Sequence, residues 1–336
     1  MKAYSEFNRL IETALAYRSS KPLLVALHYD LFTSIEKGPR TAPALARRLG
    51  LDPRALGVVL DAVAASGFLK KRGPAYANTG FSRRMLVAGS PSYQGHNLRY
   101  LERTWDAWSE LKTVVKTGRP RRSLLDWIGR DRFSAGYIRA MGEVAKGPAR
   151  DLARTLDLGR VVRSLDVGCG SGAYSAAIVE KAPGVEAVLL DLPRTLGVTR
   201  RLLAGHRAAK RMKFRPGDFL KDSFGEKEFD LVLISNVSHV EDEAGNRALI
   251  AKAFRALRPG GRLVIHDYLA GTGGRSSPFV ASLAVHLLVF TGRGGVYSEA
   301  QYRAWLRGAG FRRIEALPVA AGSVHHSAAV VGHRLN

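Results

Sequence analysis

Leu165-Asp166-Val167-Gly168-Cys169-Gly170-Ser171-Gly172 decides the fold. Its first residues predict a short buried strand, its glycines a tight loop, and the residues from Ala173 a helix. Strand, glycine loop and helix start form a nucleotide site at the carboxyl edge of a parallel sheet. Gly168, Gly170 and Ala173 nominally fit a dinucleotide fingerprint. Asp166 argues against that reading, because a carboxylate there would repel a pyrophosphate and suits a ligand amino group instead. No hydride-transfer constellation follows downstream.

Around this stretch, strand and helix patterns alternate from Arg163 to the C-terminus, which implies an α/β fold with helices on both faces of the sheet. The expected strands are Ser164–Val167, Glu186–Leu190, Met212–Phe214, Leu231–Ser235, Arg262–His266, Arg312–Leu317 and Ala328–Gly332. Asn246–Leu257 reads as an amphipathic helix. Ser298 and Gln301 form a capping box for the helix carrying Tyr302, Trp305 and Leu306. Asp191 ends the second strand, nineteen residues after Gly172. A carboxylate there accepts both hydroxyls of a ribose, or caps the next helix. Asp218 and Phe219 end the third strand and suit adenine through its amino group and its ring, although Gly217-Asp218 also fits a plain turn.

Residues 1–92 have a different grammar. Thr41 caps a helix through Leu49, and Asp52-Pro53 opens another with Leu56, Val59, Leu60 and Val63 on one face. A two-stranded hairpin follows over Phe68–Asn78. Helix, turn, helix and wing make a winged-helix pattern. A DNA reader needs Arg, Lys, Asn or Gln on its outer face. Here that face offers Arg54, Asp61, Val58 and small residues, which favours dimerisation over DNA reading. Residues 93–155 continue as helices bearing Trp105, Trp108, Trp127, Phe133, Tyr137 and Met141. They are core, or cap a pocket of a second domain spanning 93–336.

The chain has 336 residues, enough for two domains at about 150 residues each. Its hydrophobic fraction of 46% excludes a disordered chain. No window reaches the roughly 18 apolar residues of a membrane span. Phe279–Phe290 is too short and contains His286, and Glu6 and Glu12 interrupt any leader-like segment. The single cysteine excludes internal disulfides and multi-cysteine metal sites. No metal site is expected, and His325-His326 and His333 lack an accompanying carboxylate cluster. These features predict a soluble, cytoplasmic protein. The net charge of +23 admits nucleic acid or an acidic protein as partner, or a merely basic surface. Arg200, Arg201, Arg207, Lys210, Arg211 and Lys213 make its densest run.

Asp166–Gly172, Asp191-Leu192-Pro193, Gly217-Asp218-Phe219 and Arg258-Pro259-Gly260-Gly261 together resemble the class I S-adenosylmethionine-dependent methyltransferases. With the winged-helix front end, the chain is similar to the small-molecule O-methyltransferases of the hydroxyindole and caffeate type. The resemblance implies a Rossmann-like sheet of order 3-2-1-4-5-7-6, S-adenosyl-L-methionine as methyl donor, and a homodimer. It implies donor binding by Asp166, Gly168, Gly170, Asp191, Leu192, Asp218, Phe219, Ser235 and Asn236. It implies His239 as general base, oriented by Asp267. Tyr137 and Met141 match positions that line the acceptor pocket in such enzymes. Phe279, Leu283, His286, Leu287 and Phe290 share one helical face and are expected as its far wall. The acceptor is then a small aromatic, polyketide-like or isoprenoid molecule, either free or presented by an acidic carrier protein. Methylation at carbon or nitrogen uses the same donor. Nucleic acid is the disfavoured partner, since Asn236-Val237-Ser238 stands where amino-methylating enzymes carry an acid or amide before two prolines. The sequence departs from the family where His239-Val240-Glu241 replaces His-Asp-Trp. It also has no clear match for a second glutamate behind the histidine.

Overall fold

A computed structural model describes residues 2–36, 40–123, 126, 131–271, 276–319 and 327–335. Trp127 and the His325-His326 pair lie outside the described residues, as does the side chain of Phe133. The chain divides into two compact units, Met1–Trp105 and Asp106–Asn336.

The first unit contains α1 (Lys2–Leu15), α2 (Tyr17–His28), α3 (Leu31–Glu36), β1 (Arg40–Thr41), α4 (Ala42–Leu49) and α5 (Pro53–Ala65). It continues with β2 (Leu69–Arg72), β3 (Ala75–Asn78), α6 (Gly80–Leu86) and α7 (Gly95–Arg103). The caps sit where the sequence puts them. The Thr41 hydroxyl accepts from the Ala44 N–H, and Asp52 Oδ1 accepts from the Ala55 N–H at 2.7 Å. Leu45, Leu56, Leu60 and Val63 are buried with Leu27, Leu31, Phe32 and Ile35 in one core. The wing has three strands in order β1-β3-β2, one more than expected. β1 is two residues long, too short for alternation to reveal it. On α5, Asp61 accepts from both Lys71 and the Tyr76 hydroxyl at 2.6 Å, so it is tied to the wing. That leaves Arg54 as the basic side chain on the outer face of α5, beside Val58, which is 62% exposed.

Beyond α8 (Trp105–Ser109), α9 (Leu111–Thr117) and the long α10 (Asp131–Thr155), the second unit is built on seven strands. They are β4 (Arg163–Val167), β5 (Glu186–Asp191), β6 (Met212–Pro216), β7 (Phe229–Ser235), β8 (Leu257–Asp267), β9 (Arg312–Val319) and β10 (Ser327–His333). Their order is β6-β5-β4-β7-β8-β10-β9, the expected 3-2-1-4-5-7-6. β4 pairs in parallel with β5 and β7, whereas β10 runs antiparallel to both β8 and β9. Alternate residues feed opposite faces. Leu231 and Leu233 join a core with α10 and α11 (Ala173–Lys181), while Val232 and Ile234 join one with α13 (Glu243–Ala256). Two further helices complete the unit, α12 (Pro193–Leu203) after β5 and α14 (Pro278–Phe290) after β8. The last helix, α15 (Glu299–Gly308), carries the expected capping box between Ser298 and Gln301. Among the described residues, no helix is long and apolar enough to cross a membrane.

Parallel β4, β5, β6, β7 and β8 all end at one edge. Asp166 and the glycine loop, Asp191, Gly217-Asp218, Ser235-Asn236 and Asp267 therefore gather there from distant parts of the sequence.

Candidate active site

The glycine loop is held from below. The Gly168 and Cys169 N–H groups donate to the Leu190 carbonyl at 2.8 and 3.2 Å, and the Thr199 hydroxyl donates to the Gly170 carbonyl at 2.6 Å. Gly168 has φ +67°, and a Cβ there would lie 2.7 Å from Val237 Cγ2 and 3.5 Å from the Phe219 ring. Only glycine fits that backbone and that clearance. The same contact places the Phe219 ring beside the loop. Cys169 is buried, and burial raises its thiol well above the usual range, so it has no nucleophilic character.

Two carboxylates flank the loop, Asp166 buried and Asp191 partly buried. Asp166 accepts from the Ser175 hydroxyl at 2.7 Å, and burial pushes its carboxyl up to about 6 despite that bond. Asp191 Oδ2 accepts from the Gly170 N–H at 2.9 Å, and Oδ1 accepts from the Leu192 N–H at 2.8 Å. Thr195 adds a side-chain bond, yet burial still raises the Asp191 carboxyl. A carboxylate has about four acceptor sites. Three are committed here, which leaves room for about one direct ribose hydroxyl. Neither acid has a cationic partner among the described residues. Asp218 is less buried; its Oδ1 accepts from the Leu220 N–H at 2.9 Å and its Oδ2 lies 3.6 Å from Lys221 Nζ.

His239 lies on a single helical turn directly after β7. Its Nδ1 is 2.7 Å from Asp267 Oδ1, and its backbone N–H donates to Asp267 Oδ2 at 3.2 Å. Asp267 is 1% exposed and also accepts from the Tyr268 N–H at 2.8 Å. A carboxylate can only accept, so Nδ1 carries the proton and the neutral ring has a bare Nε2. Burial pulls this imidazole down, but the charge and the hydrogen bond of Asp267 together raise it above its ordinary value. The turn is braced behind by the Gly295 N–H on the His239 carbonyl at 3.0 Å and by the ion pair of buried Glu241 with Arg293. Glu299 bonds Arg303 on its own helix at 2.6 Å, as a first-turn charge should.

The remaining predicted residues separate. His286 on α14 faces this region closely enough for the His239 charge to lower its ring, after burial, to about 4. Its Nδ1 accepts from Trp108 Nε1 at 3.3 Å, a pairing that no sequence pattern signals. Phe290 stacks on His286 with ring centroids 4.5 Å apart and is 2% exposed, so it backs the wall more than it lines it. Leu287 is buried alongside. Tyr137 is coupled to Asp191, whose charge adds to burial in raising the phenol to about 12. It therefore stands near Asp191. Met141 is partly buried one turn further along α10. Ser235 and Asn236 enter a hydrogen-bonded chain through His266, which sequence reasoning missed entirely. Among the described residues no group of His, Cys, Asp and Glu could hold a metal ion.

Comparison with known proteins agrees with this architecture. The O-methyltransferase domain model matches residues 108–312, and the O-methyltransferase dimerisation domain model matches residues 11–88. A 3-hydroxy-5-methyl-1-naphthoate 3-O-methyltransferase of Streptomyces sahachiroi is 30% identical over 319 residues, covering 93% of this chain and 91% of that one. The structure of the mitomycin 7-O-methyltransferase MmcR superposes with a TM-score of 0.86 at 26% identity, covering 99% and 98% of the two chains. Human N-acetylserotonin methyltransferase in complex with S-adenosylmethionine shares the fold, with a TM-score of 0.87 at 21% identity and 98% of each chain covered. The chain therefore belongs to the O-methyltransferase family and is an S-adenosylmethionine-dependent O-methyltransferase with the family's dimerisation domain at its N-terminus.

Proposed function

We propose that the chain methylates a hydroxyl of a small aromatic or polyketide-like acceptor, with His239 as general base and Asp267 as its orienting acid. The single observation that carries this reading is the 2.7 Å contact between His239 Nδ1 and buried Asp267, which leaves Nε2 able to take a proton. The bound donor supplies an electrophilic methyl carbon on a sulfonium. Its fit to this edge of the sheet rests on two features, a loop with no space for a side chain at Gly168 and two acids, one buried and one partly buried, without a cationic partner among the described residues. Asp166 receives the amino group, Asp191 a ribose hydroxyl, and Asp218 with Phe219 the adenine. Gly168 and Gly170 give backbone approach, and Leu192, Ser235 and Asn236 complete the cradle.

A phenol has a pKa near 10 and is mostly protonated at neutral pH. His239 Nε2 removes that proton, and Asp267 stabilises the imidazolium that results. A base so placed contributes about 10² to 10⁴ in rate. His286, Tyr137 and Met141 shape the acceptor pocket, with Phe290 backing its wall, which suits a flat ring. The relative acting on a hydroxynaphthoate supports that class of acceptor. Residues 1–92 serve homodimerisation, with 93–336 as the catalytic domain. The exposed Phe7 and Leu10 of α1, at 57% and 64%, are surface a second copy would cover. Radiolabelled methyl transfer from the donor, screened against phenolic, polyketide and RNA pools, tests the reading. Label in a phenolic or polyketide product is expected; label in RNA alone would overturn it.

A further inference from the structure

From Asn236 and Ser235 of the donor cradle a chain of polar groups runs inward to buried His266 and Ser327, which the methyl-transfer chemistry does not use. Asn236 Nδ2 donates to the Tyr174 hydroxyl at 3.0 Å and to Ser235 Oγ at 3.2 Å. Ser235 Oγ is 2.9 Å from His266 Nδ1, and His266 Nε2 is 2.9 Å from Ser327 Oγ. The Ser327 hydroxyl reaches the Val319 carbonyl at 3.4 Å. His266 is 1% exposed, Ser327 5% and Ser235 7%. The chain crosses the sheet from α11 through β7, β8 and β10 to β9. Ser235 and His266 are register partners on neighbouring parallel strands.

The direction of every bond follows from one end. A carbonyl can only accept, so Ser327 donates to Val319. The Ser327 oxygen must then receive the N–H of His266 Nε2. Burial pushes the His266 imidazole down to about 4, against the pull of Asp267, so the ring is neutral and its Nδ1 is bare. Nδ1 accepts the Ser235 hydroxyl proton, and the Ser235 oxygen needs a donor in its turn. The Tyr174 hydroxyl also bonds Ser235, and the Asn236 atom 3.2 Å from an oxygen whose own proton is committed to His266 must be the donating nitrogen. The carboxamide is thereby fixed with its nitrogen inward, and Oδ1 takes no hydrogen bond from any described residue. The backbone is pinned from the same place, since the Asn236 N–H donates to the His266 carbonyl at 2.9 Å while Asn236 holds φ +54°. Asparagine tolerates that left-handed conformation better than most residues.

We infer that His266 is a positioning residue which, through Ser235, holds the Asn236 carboxamide with its oxygen turned toward the cationic end of the methyl donor. This rests on the donor-site reading above. Asn236 stands three residues before His239, at the edge where Asp166 and Asp191 gather. A carbonyl oxygen there attracts a sulfonium or an ammonium; the reversed amide would repel either.

The test has two arms, both on the full-length protein. Wild-type protein labelled with ¹⁵N-histidine reports the tautomer directly, with His266 assigned by its loss in His266→Gln. The expected pattern is a bare Nδ1 and a protonated Nε2 that persists down to about pH 5; a protonated Nδ1 overturns the inference, whether or not any variant folds. The second arm is calorimetric titration with S-adenosylmethionine and with S-adenosylhomocysteine. His266→Phe and Asn236→Ala should each weaken the donor about five- to tenfold, as the loss of one oriented hydrogen bond does. Together they should weaken it no further, because they act as one unit. His266→Gln can accept from Ser235 and donate to Ser327, and should restore binding. Weakening of the donor alone assigns Oδ1 to the sulfonium, and equal weakening of both ligands assigns it to the ammonium. Losses that multiply in the double variant, or an unchanged donor affinity in His266→Phe, overturn the inference. If wild type itself ignores both ligands, the donor-site reading fails instead.

Discussion

Replacing Asp267 by Asn keeps the shape of the side chain and removes its charge. In the wild type two opposing effects act on His239: burial lowers the imidazole, and the charge and hydrogen bond of Asp267 raise it further, to above 6.5. Without the charge, burial dominates. A charge-assisted bond of this kind is worth about 1.5–3 kcal/mol. At 1.36 kcal/mol per unit, that corresponds to a fall of about one to two pKa units. The proposed base works deprotonated, so the rate should rise with pH through its pKa. In wild type the rise should be centred above 6.5; in Asp267→Asn it should move down by that amount. The plateau should also fall, because an amide can turn its nitrogen toward Nδ1 and favour the wrong tautomer, at a cost within the 10² to 10⁴ range of a displaced base. Initial rates between about pH 5 and pH 9, at saturating donor, read both effects, and histidine NMR titration reads the pKa without an acceptor. An unchanged inflection together with an unchanged plateau would refute the claim that Asp267 tunes and orients His239.

Other outcomes follow from the same geometry. His239→Ala should lower turnover about 10² to 10⁴-fold while donor affinity stays nearly constant; parallel losses of both would place the histidine in binding instead of proton transfer. Asp191→Ala should weaken the donor about ten- to a hundredfold, since it removes the proposed charge-assisted ribose bond and loosens the Gly170 contact, and calorimetry would contradict this with equal affinities. Asp166 titrates near 6 without a cation beside it, so a cationic donor should lower its pKa and release about half a proton at pH 6. Binding heats would then vary with the ionisation enthalpy of the buffer, and heats independent of buffer would count against Asp166 as the amino-group partner.

Much of this was legible before any coordinates. All seven expected strands of the large sheet are present: β4, β5, β7 and β8 carry the apolar runs of buried parallel strands, and the edge strands β6 and β9 are read from strand–helix alternation instead. The caps at Thr41, Asp52 and Ser298 were legible because a helix start needs a side-chain acceptor within three residues. The acids at strand ends were legible because a parallel sheet collects them at one edge. What stayed hidden depends on register and on distant contacts. Ser235 meets His266 only because β7 and β8 align at those positions, and 178 residues separate Trp108 from His286. Burial of Phe290 was not readable from its helical spacing, since a stripe looks the same whether a pocket or a core covers it. The charge of +23 divides in a way composition cannot show. Arg211 satisfies the carbonyls of Val179 and Pro183, Arg200 lies over the Phe214 ring, and Arg207 pairs with Glu180, so much of the basic run around α12 has structural work.

The most direct test is a calorimetric titration of the purified wild-type chain with S-adenosylmethionine and its demethylated product. One saturable site per chain for each ligand, abolished or strongly weakened in Asp191→Ala, is the predicted result. Absence of binding for both ligands would contradict the assignment of this sheet edge as a methyl-donor site.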